Sequence, residues 1–135
     1  GGDDLLIGGS GNDILIGELG ADTYEWRTAN QGTTDQPALD EVKGFRSGHF
    51  GVDANADRLN LADLLVDASN GSVEDYVVAS GEHNRVELAI KTDGGIHLDG
   101  SNADQRIVLT GQIDYSGDGN DFLHQLIANG QLNIE

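Results

Sequence analysis

The chain has 135 residues, of which 24 are acidic and 7 basic, and its net charge at neutral pH is −17. Nucleic acids and anionic membrane surfaces repel a chain this acidic, so neither is expected as a partner. No stretch approaches the roughly eighteen apolar residues of a membrane-spanning helix. The chain also lacks cysteine, so a secreted form would be stabilised by something other than disulfides.

A nine-residue repeat occupies the start of the chain. Gly8–Ile16 and Gly17–Glu25 both carry glycine at positions 1 and 4, aspartate at position 6 and a large apolar residue at position 8. An earlier, incomplete copy places Asp4 at position 6 and Leu6 at position 8. Because the chain opens inside this copy, we expect the sequence to be a fragment of a longer protein.

The composition of the repeat predicts a turn followed by a short strand. Its first six residues are rich in glycine, which is typical of turns, and its last three suit a strand in which only position 8 is buried. Two repeats make a coil of eighteen residues, and successive coils would stack as parallel strands about 4.8 Å apart. Stacking brings Asp4 over Asp22, and such carboxylates repel each other unless a cation lies between them. Carboxylates and turn carbonyls are the oxygen ligands that Ca²⁺ prefers, so the repeat predicts calcium binding.

The nonapeptide resembles the GGxGxDxUx repeat of RTX (repeats-in-toxin) proteins. The resemblance implies a parallel β-roll in which turns eighteen residues apart share each calcium ion. A first ion would then be bound by Gly2, Asp4, Gly17, Leu19 and Asp22. A second would be bound by Gly9, Gly11 and Asp13, with Asp40 as the candidate partner from beyond the repeats. Glu18 departs from the motif, since it stands where the second glycine is expected.

Downstream of the repeats, alternation of apolar and polar residues predicts further short strands. Arg85–Lys91 and Arg106–Thr110 have this pattern. Between them, Asp93-Gly94-Gly95 is a hairpin signal that would turn the chain into a strand containing Ile96 and Leu98. The chain is therefore predicted to be dominated by β-structure.

The end of the chain has a different pattern. Residues 119–130 are typical of a capped amphipathic helix, in which Asn120 is the N-cap and Gly130 follows the last turn. The apolar residues Leu132 and Ile134 then predict a closing strand.

The order of these segments resembles the type I secretion C-terminal target domain at the end of large bacterial RTX adhesins. The resemblance includes the repeats, a DxVxxF segment at Asp40–Phe45, a DxLxLxDLL segment at Asp57–Leu65 and the terminal helix. It implies an uncleaved export signal that a three-component type I secretion transporter reads. In this chain the signal would be carried by Phe122, Leu123, Leu126, Ile127, Leu132 and Ile134.

The expected architecture is a single, all-β dominated structural domain with three parts. Residues 1–27 would form a short, calcium-bound parallel β-roll, truncated at its N-terminus. Residues 28–118 would form a β-rich, sandwich-like cap, and residues 119–135 the closing helix and strand, with one or two short helices in all. We expect a monomer that continues from the rest of an adhesin chain on its N-terminal side.

Other candidate sites are weaker. Asp53, Asn55 and Asp57 follow the D-x-N-x-D opening of an EF-hand, but Arg58 replaces the glycine that an EF-hand requires next. A looser calcium site and a solvated acidic loop therefore both remain open here. The four histidines form no HExxH motif, and Ser10 does not lie in a G-x-S-x-G motif, so catalysis is not expected.

These features predict a calcium-dependent folding and type I secretion module at the C-terminus of a large extracellular adhesin. It would be secreted or lie on a bacterial cell surface. One alternative is a calcium-dependent module that binds a sugar or protein ligand through the loop around residues 46–55. The other is the C-terminal part of a secreted RTX hydrolase whose catalytic residues lie upstream.

Overall fold

A computed structural model describes residues 3–27, 32–33, 35–65, 73–115 and 117–134. Within them the chain forms strands, a short 3₁₀ turn at Val73–Asp75 and one α-helix. The strands are β1 Leu5–Ile7, β2 Ile14–Ile16, β3 Thr23–Glu25, β4 Ala38–Arg46, β5 Arg58–Asn60, β6 Val77–Glu82, β7 Arg85–Ile90, β8 Gln105–Gln112 and β9 Leu132–Asn133. The helix, α1, spans Gly119–Ala128, and no helix in the described ranges is long and apolar enough to cross a membrane.

The strands form two sheets, which face each other across one core. Sheet A is fully parallel and has the order β1-β3-β5-β9. Sheet B has the order β2-β4-β8-β7-β6, in which β2, β4 and β8 are parallel and β7 and β6 are antiparallel. Because the first five strands alternate between the sheets, the chain winds as a β-roll. The prediction of a mainly β chain is confirmed.

The repeat produces this winding through one buried residue in each nonamer. Leu15 and Tyr24, at position 8, point into the core, whereas the flanking Ile14 and Ile16 are 61% and 54% exposed. In the turns Gly9 adopts a left-handed conformation, with φ +82°, which glycine takes without steric cost. Glu18 adopts the same region, with φ +67°, so the coil keeps its shape where the motif loses a glycine.

The predicted hairpin at Asp93-Gly94-Gly95 is wrong. The hairpin of this region joins β6 to β7 one strand earlier, through a turn in which Asn84 has φ +75°. Residues 91–104 form turns and irregular backbone, and Leu98 is 94% exposed. Asparagine tolerates left-handed backbone nearly as well as glycine does, so Asn84 was an available signal for the true turn.

The predicted C-terminal helix and strand are confirmed. The helix begins two residues before the expected point, because its N-cap is Asp118, whose side chain accepts a hydrogen bond from Asp121 N, and not Asn120. Gly130, with φ +72°, follows the last turn as expected. The strand β9 then pairs in parallel with β5 and completes sheet A.

Candidate metal centre

Three aspartates stand in a column at the entrance to sheet A, which we call ladder A: Asp4, Asp22 and Asp57. Each directly precedes a residue that is paired in register with its neighbour, Leu5 with Thr23 and Thr23 with Arg58. Asp4 N donates to Asp22 Oδ1 at 2.9 Å, and Asp22 N donates to Asp57 Oδ1 at 2.9 Å. The carboxylates of Asp22 and Asp57 therefore each receive a backbone hydrogen bond from the coil before them, and both side chains are fully buried.

The same arrangement occurs at sheet B, where Asp13 and Asp40 form ladder B. Asp13 N donates to Asp40 Oδ1 at 2.7 Å, across 27 residues of chain. The other oxygen of Asp40 accepts from Trp26 Nε1 at 2.7 Å and from Gln105 Nε2 at 3.0 Å. Asp40 was expected to partner Asp13 on the basis of the family resemblance, and the structure brings the two together.

The aspartates of the two complete repeats, Asp13 and Asp22, each keep one buried oxygen without a partner. Asp13 Oδ2 and Asp22 Oδ2 are buried and accept no hydrogen bond. Each points at the first glycine of its own nonamer. A Cβ added at Gly8 would lie 3.1 Å from Asp13 Oδ2, and one added at Gly17 would overlap Asp22 Oδ2 and lie 2.6 Å from the Tyr24 hydroxyl. A bare carboxylate oxygen is costly in a buried position, and the glycines leave space beside it.

These features fit a calcium ion. Calcium takes oxygen ligands only. The space beside each bare oxygen, which we call a cradle, offers that carboxylate oxygen next to the carbonyl-rich turn that starts at Gly8 or Gly17. In the described ranges no group of three or more His, Cys, Asp or Glu side chains converges, so an ion here would depend on backbone carbonyls for most of its ligands. When bound, calcium would supply positive charge to the buried carboxylates.

The other residues that are predicted to bind the first and second calcium ions lie around these cradles. Leu19 belongs to the same turn as Gly17, with its side chain 59% exposed. Gly9 and Gly11 lie in the turn before Asp13 in left-handed backbone. Gly2 lies outside the described residues. Coordination by these residues remains a prediction.

Burial raises the pKa of the ladder carboxyls. The pKa of Asp57 rises from 3.8 to about 6, mainly because the group is buried, while hydrogen bonds from the backbone of Asp22 and Arg46 act in the opposite direction. Burial also raises the pKa of Asp22 and Asp40, and the neighbouring carboxylates Asp4 and Asp13 add to the rise. Without a cation, ionisation of these buried carboxyls therefore lowers the free energy of unfolding.

The three members of the D-x-N-x-D segment accept hydrogen bonds from three different parts of the chain. Asp53 Oδ2 accepts from His49 N at 2.7 Å, within its own loop. Asn55 Oδ1 accepts from Gly20 N at 2.7 Å, in the turn of the last repeat. Asp57 belongs to ladder A, and its second oxygen accepts from Arg46 N at 3.0 Å. The segment thus ties the roll to the cap, and a calcium site within it remains a prediction.

The predicted secretion-signal residues are mostly part of the core. Phe122, Leu123, Leu126 and Leu132 are at most 5% exposed, Ile134 packs against the core, and Ile127 is 38% exposed. Helix α1 packs against β6, and β9 is the last strand of sheet A.

Sequence reasoning missed several residues that shape this centre. Gly8 was not assigned a role, although its place at position 1, like that of Gly17, was a usable signal. Trp26, Gln105 and Gln131 are fully buried and bond to the ladders or their flanking backbone. These three lie outside the repeat period, so no local pattern marks them.

The comparisons with known proteins agree with an RTX-like β-roll. Residues 4–123 match the family model described as peptidase M10 serralysin C terminal, so the chain belongs to the serralysin C-terminal family. No curated protein sequence matches the chain.

One solved structure of similar fold is the AlgE6R2 subunit of the mannuronan C5-epimerase from Azotobacter vinelandii. It is 23% identical, the alignment covers 98% of this chain and 71% of that one, and the TM-score is 0.59. At this identity the likeness concerns the fold alone.

Replacing Gly17 by alanine tests the cradle directly. Its φ is not in the left-handed region, so the backbone tolerates alanine, but the added Cβ would take the space beside Asp22 Oδ2. We expect Gly17→Ala to weaken calcium binding about tenfold or more, the scale of a buried carboxylate forced off its position, as measured by isothermal titration calorimetry. Gly8→Ala should have a smaller effect, because its contact with Asp13 is looser; equal, unaltered affinities in both variants would contradict a site at these glycines.

The stability of the calcium-free chain should fall as the pH rises from about 4 to about 6. The pKa of Asp57 is higher in the folded state, so folding favours the protonated form, and ionisation removes on the order of 3 kcal/mol of stability across this range. Far-ultraviolet circular dichroism of the calcium-free chain at a series of pH values measures the folded fraction, which should fall over the same range. Asp57→Asn should flatten the dependence, whereas Asp114→Asn, at an exposed position, should leave it as in the unaltered chain.

Proposed function

We propose that this chain is a calcium-dependent folding module of a protein exported by a type I secretion system. The observation that carries the proposal is the pair of buried, unpartnered oxygens on Asp13 and Asp22, each beside a glycine that leaves room for an ion. Membership of the serralysin C-terminal family and the β-roll winding support it.

Charge makes the folding of such a module sensitive to calcium. The chain carries a net charge of −17, and folding brings the carboxylates of both ladders into register while removing those of Asp22, Asp40 and Asp57 from water. Where calcium is scarce, as in the cytosol, this cost favours the unfolded chain, which is the form that can be threaded. At the calcium levels that extracellular modules bind, with dissociation constants of about 10⁻⁴ to 10⁻³ M, ion binding would draw the chain into the folded state.

The position of the C-terminal segment supports export of the unfolded chain followed by folding outside the cell. In the fold, Phe122, Leu123 and Leu126 are buried against the sheets and are not available to a transporter. A signal in this segment would therefore be read while the chain is unfolded, and folding outside the cell would withdraw it. The module would then be secreted or remain at the bacterial surface.

The exported protein would be either an adhesin or an enzyme. The order of segments resembles that of RTX adhesins, which favours an adhesin. The family is named for a peptidase and the structural neighbour is part of an epimerase, which favours an enzyme whose catalytic part lies upstream. In both cases the module proposed here folds and assists export, and it performs no catalysis.

Ligand binding is a second candidate, and one surface cleft favours it. This cleft, of about 370 Å³, lies on sheet A beside ladder A and is lined by Asp3, Asp4, Leu5, Ala21, Thr23, Glu25, Phe50, Arg58 and Asn60. The Arg58 guanidinium lies 4.6 Å from the centre of the Phe50 ring, and its buried Nε has no partner. An aromatic ring among donors and acceptors suits a sugar, and the three carboxylates favour a neutral sugar over an anionic one such as mannuronan.

Far-ultraviolet circular dichroism of the chain in calcium and in chelator tests the proposed folding function. We expect mainly unfolded chain in chelator and β-structure at millimolar calcium. Asp22→Asn should raise the calcium concentration at half-folding about tenfold, because it removes the charge of a buried ligand, while Asp35→Asn, at an exposed position, should not. A chain that is equally folded in chelator and in calcium would rule the function out.

Thermal unfolding with and without neutral oligosaccharides tests the second candidate. A ligand that binds the folded state raises its melting temperature by mass action. Phe50→Leu should abolish the rise, whereas Val52→Ala, an 82% exposed residue of the same loop, should preserve it. An oligosaccharide panel that leaves the melting temperature unchanged in calcium would remove this candidate.

A further inference from the structure

Both carboxylate ladders end beside a fully buried glutamine. At the end of ladder A, Gln131 Nε2 donates to the carbonyls of Arg46 and Asp57 at 2.8 Å each, and its Oε1 accepts from Gly48 N at 3.0 Å. At the end of ladder B, Gln105 Nε2 donates to Asp40 Oδ2 at 3.0 Å. Both glutamine residues are 0% exposed. Burying a primary amide is costly without partners, so this recurrence indicates a specific role.

The carboxylates beside these glutamines differ from those of the repeats. Asp13 and Asp22 each keep a bare buried oxygen. Both oxygens of Asp57 accept backbone N–H bonds, from Asp22 at 2.9 Å and Arg46 at 3.0 Å. Both oxygens of Asp40 are likewise bonded, to the backbone of Asp13 and to the side chains of Trp26 and Gln105. Both oxygens of Asp40 and of Asp57 are therefore already stabilised by well-placed donors, and a cation there would compete with these donors.

We propose that Asp40 with Gln105 and Asp57 with Gln131 are metal-free closing rungs, which end the calcium ladders and position the repeat carboxylates above them. This inference rests on the proposed calcium-binding function of the repeats. In the closing rungs, hydrogen-bond donors take over the stabilisation that calcium supplies in the repeats. Gln131 clamps the two backbone segments that flank the Asp57 carboxylate, and Asp57 in turn holds the backbone of Asp22.

The clamp explains how the end of the chain is coupled to the repeats. The connection runs from β9 through Gln131 to Asp57, and from Asp57 Oδ1 to Asp22 N. The side-chain hydrogen bonds of Gln131 go to the backbone of Arg46, Gly48 and Asp57 and to no proposed calcium ligand of the repeats, so it is a positioning residue. Its removal should weaken calcium binding at Asp22 while leaving the repeat ligands themselves unchanged.

Gln131→Glu is the sharpest test, because every polar side-chain atom of Gln131 is bonded whereas Gln105 Oε1 has no partner. Glutamate has nearly the same shape, but it cannot donate, and it would place a carboxylate against two carbonyls. We expect the calcium concentration at half-folding to rise about tenfold, the scale of buried donors and acceptors left unpaired. At saturating calcium the variant should bind one ion more than the unaltered chain, through Glu at 131 and the carbonyls of Arg46 and Asp57.

Gln112→Glu is the matched control, since it adds the same charge at an exposed end of β8. Gln131→Met, which removes the donors without adding charge, should shift half-folding in the same direction with no added ion. Calcium titration by circular dichroism and calorimetry gives both the shift and the number of ions bound. If both Gln131 variants match Gln112→Glu, the positioning role is wrong.

The number of ions also tests whether the closing rungs are free of metal. Asp57→Asn should weaken calcium binding but keep the same number of ions per chain at saturation, and the loss of one ion would show that Asp57 is a ligand and overturn the proposal. If Asp57→Asn does not fold, the ion count of Gln131→Glu decides the same point, because an unchanged count would contradict a metal-free rung. An unaltered chain that does not respond to calcium would instead refute the proposed function.

Discussion

The structure depends on hydrogen bonds from the backbone of one coil to the aspartate carboxylate of the next. Asp4 donates to Asp22, Asp22 to Asp57, and Asp13 to Asp40, with distances of 2.7 to 2.9 Å. These bonds set the register of the parallel strands, because a shift by one residue would move the buried position 8 to the outer face. They also place the carboxylates of Asp22, Asp40 and Asp57 at a dry boundary between turn and core, where negative charge is costly.

The cost of burying negative charge differs along each ladder. Asp13 and Asp22 retain a bare oxygen beside a glycine, while Asp40 and Asp57 have donors on both oxygens. The difference follows from which groups lie next to each carboxylate. A short turn can supply carbonyls and space, whereas Asp40 lies on the long strand β4 and meets the Trp26 indole and the Gln105 amide. One end of the roll is therefore suited to a cation, and the other is closed by hydrogen bonds.

The match to the serralysin C-terminal family model covers both the repeats and most of the residues beyond them. The residues beyond the repeats contribute most of the large buried side chains, including Phe45, Leu109 and Phe122, and the last strand, β9, completes the same sheet that the repeats begin. The two ends of the described chain therefore belong to one hydrogen-bonded layer. In such a layer, order in the terminal strand and order in the repeats are expected to support each other.

The sequence by itself determined the parts of this protein that repeat or that have a local period. The nonapeptide spacing indicated parallel coils, position 8 as the buried residue and Asp13 and Asp22 as candidate calcium ligands, and the terminal amphipathic pattern indicated α1. Only the tertiary structure decided which carboxylate oxygens are left bare and that Gln105 and Gln131 close the ladders. These features depend on contacts across 65 to 85 residues of chain, as between Gln105 and Asp40 or Gln131 and Arg46, and no local pattern can encode a partner that distant.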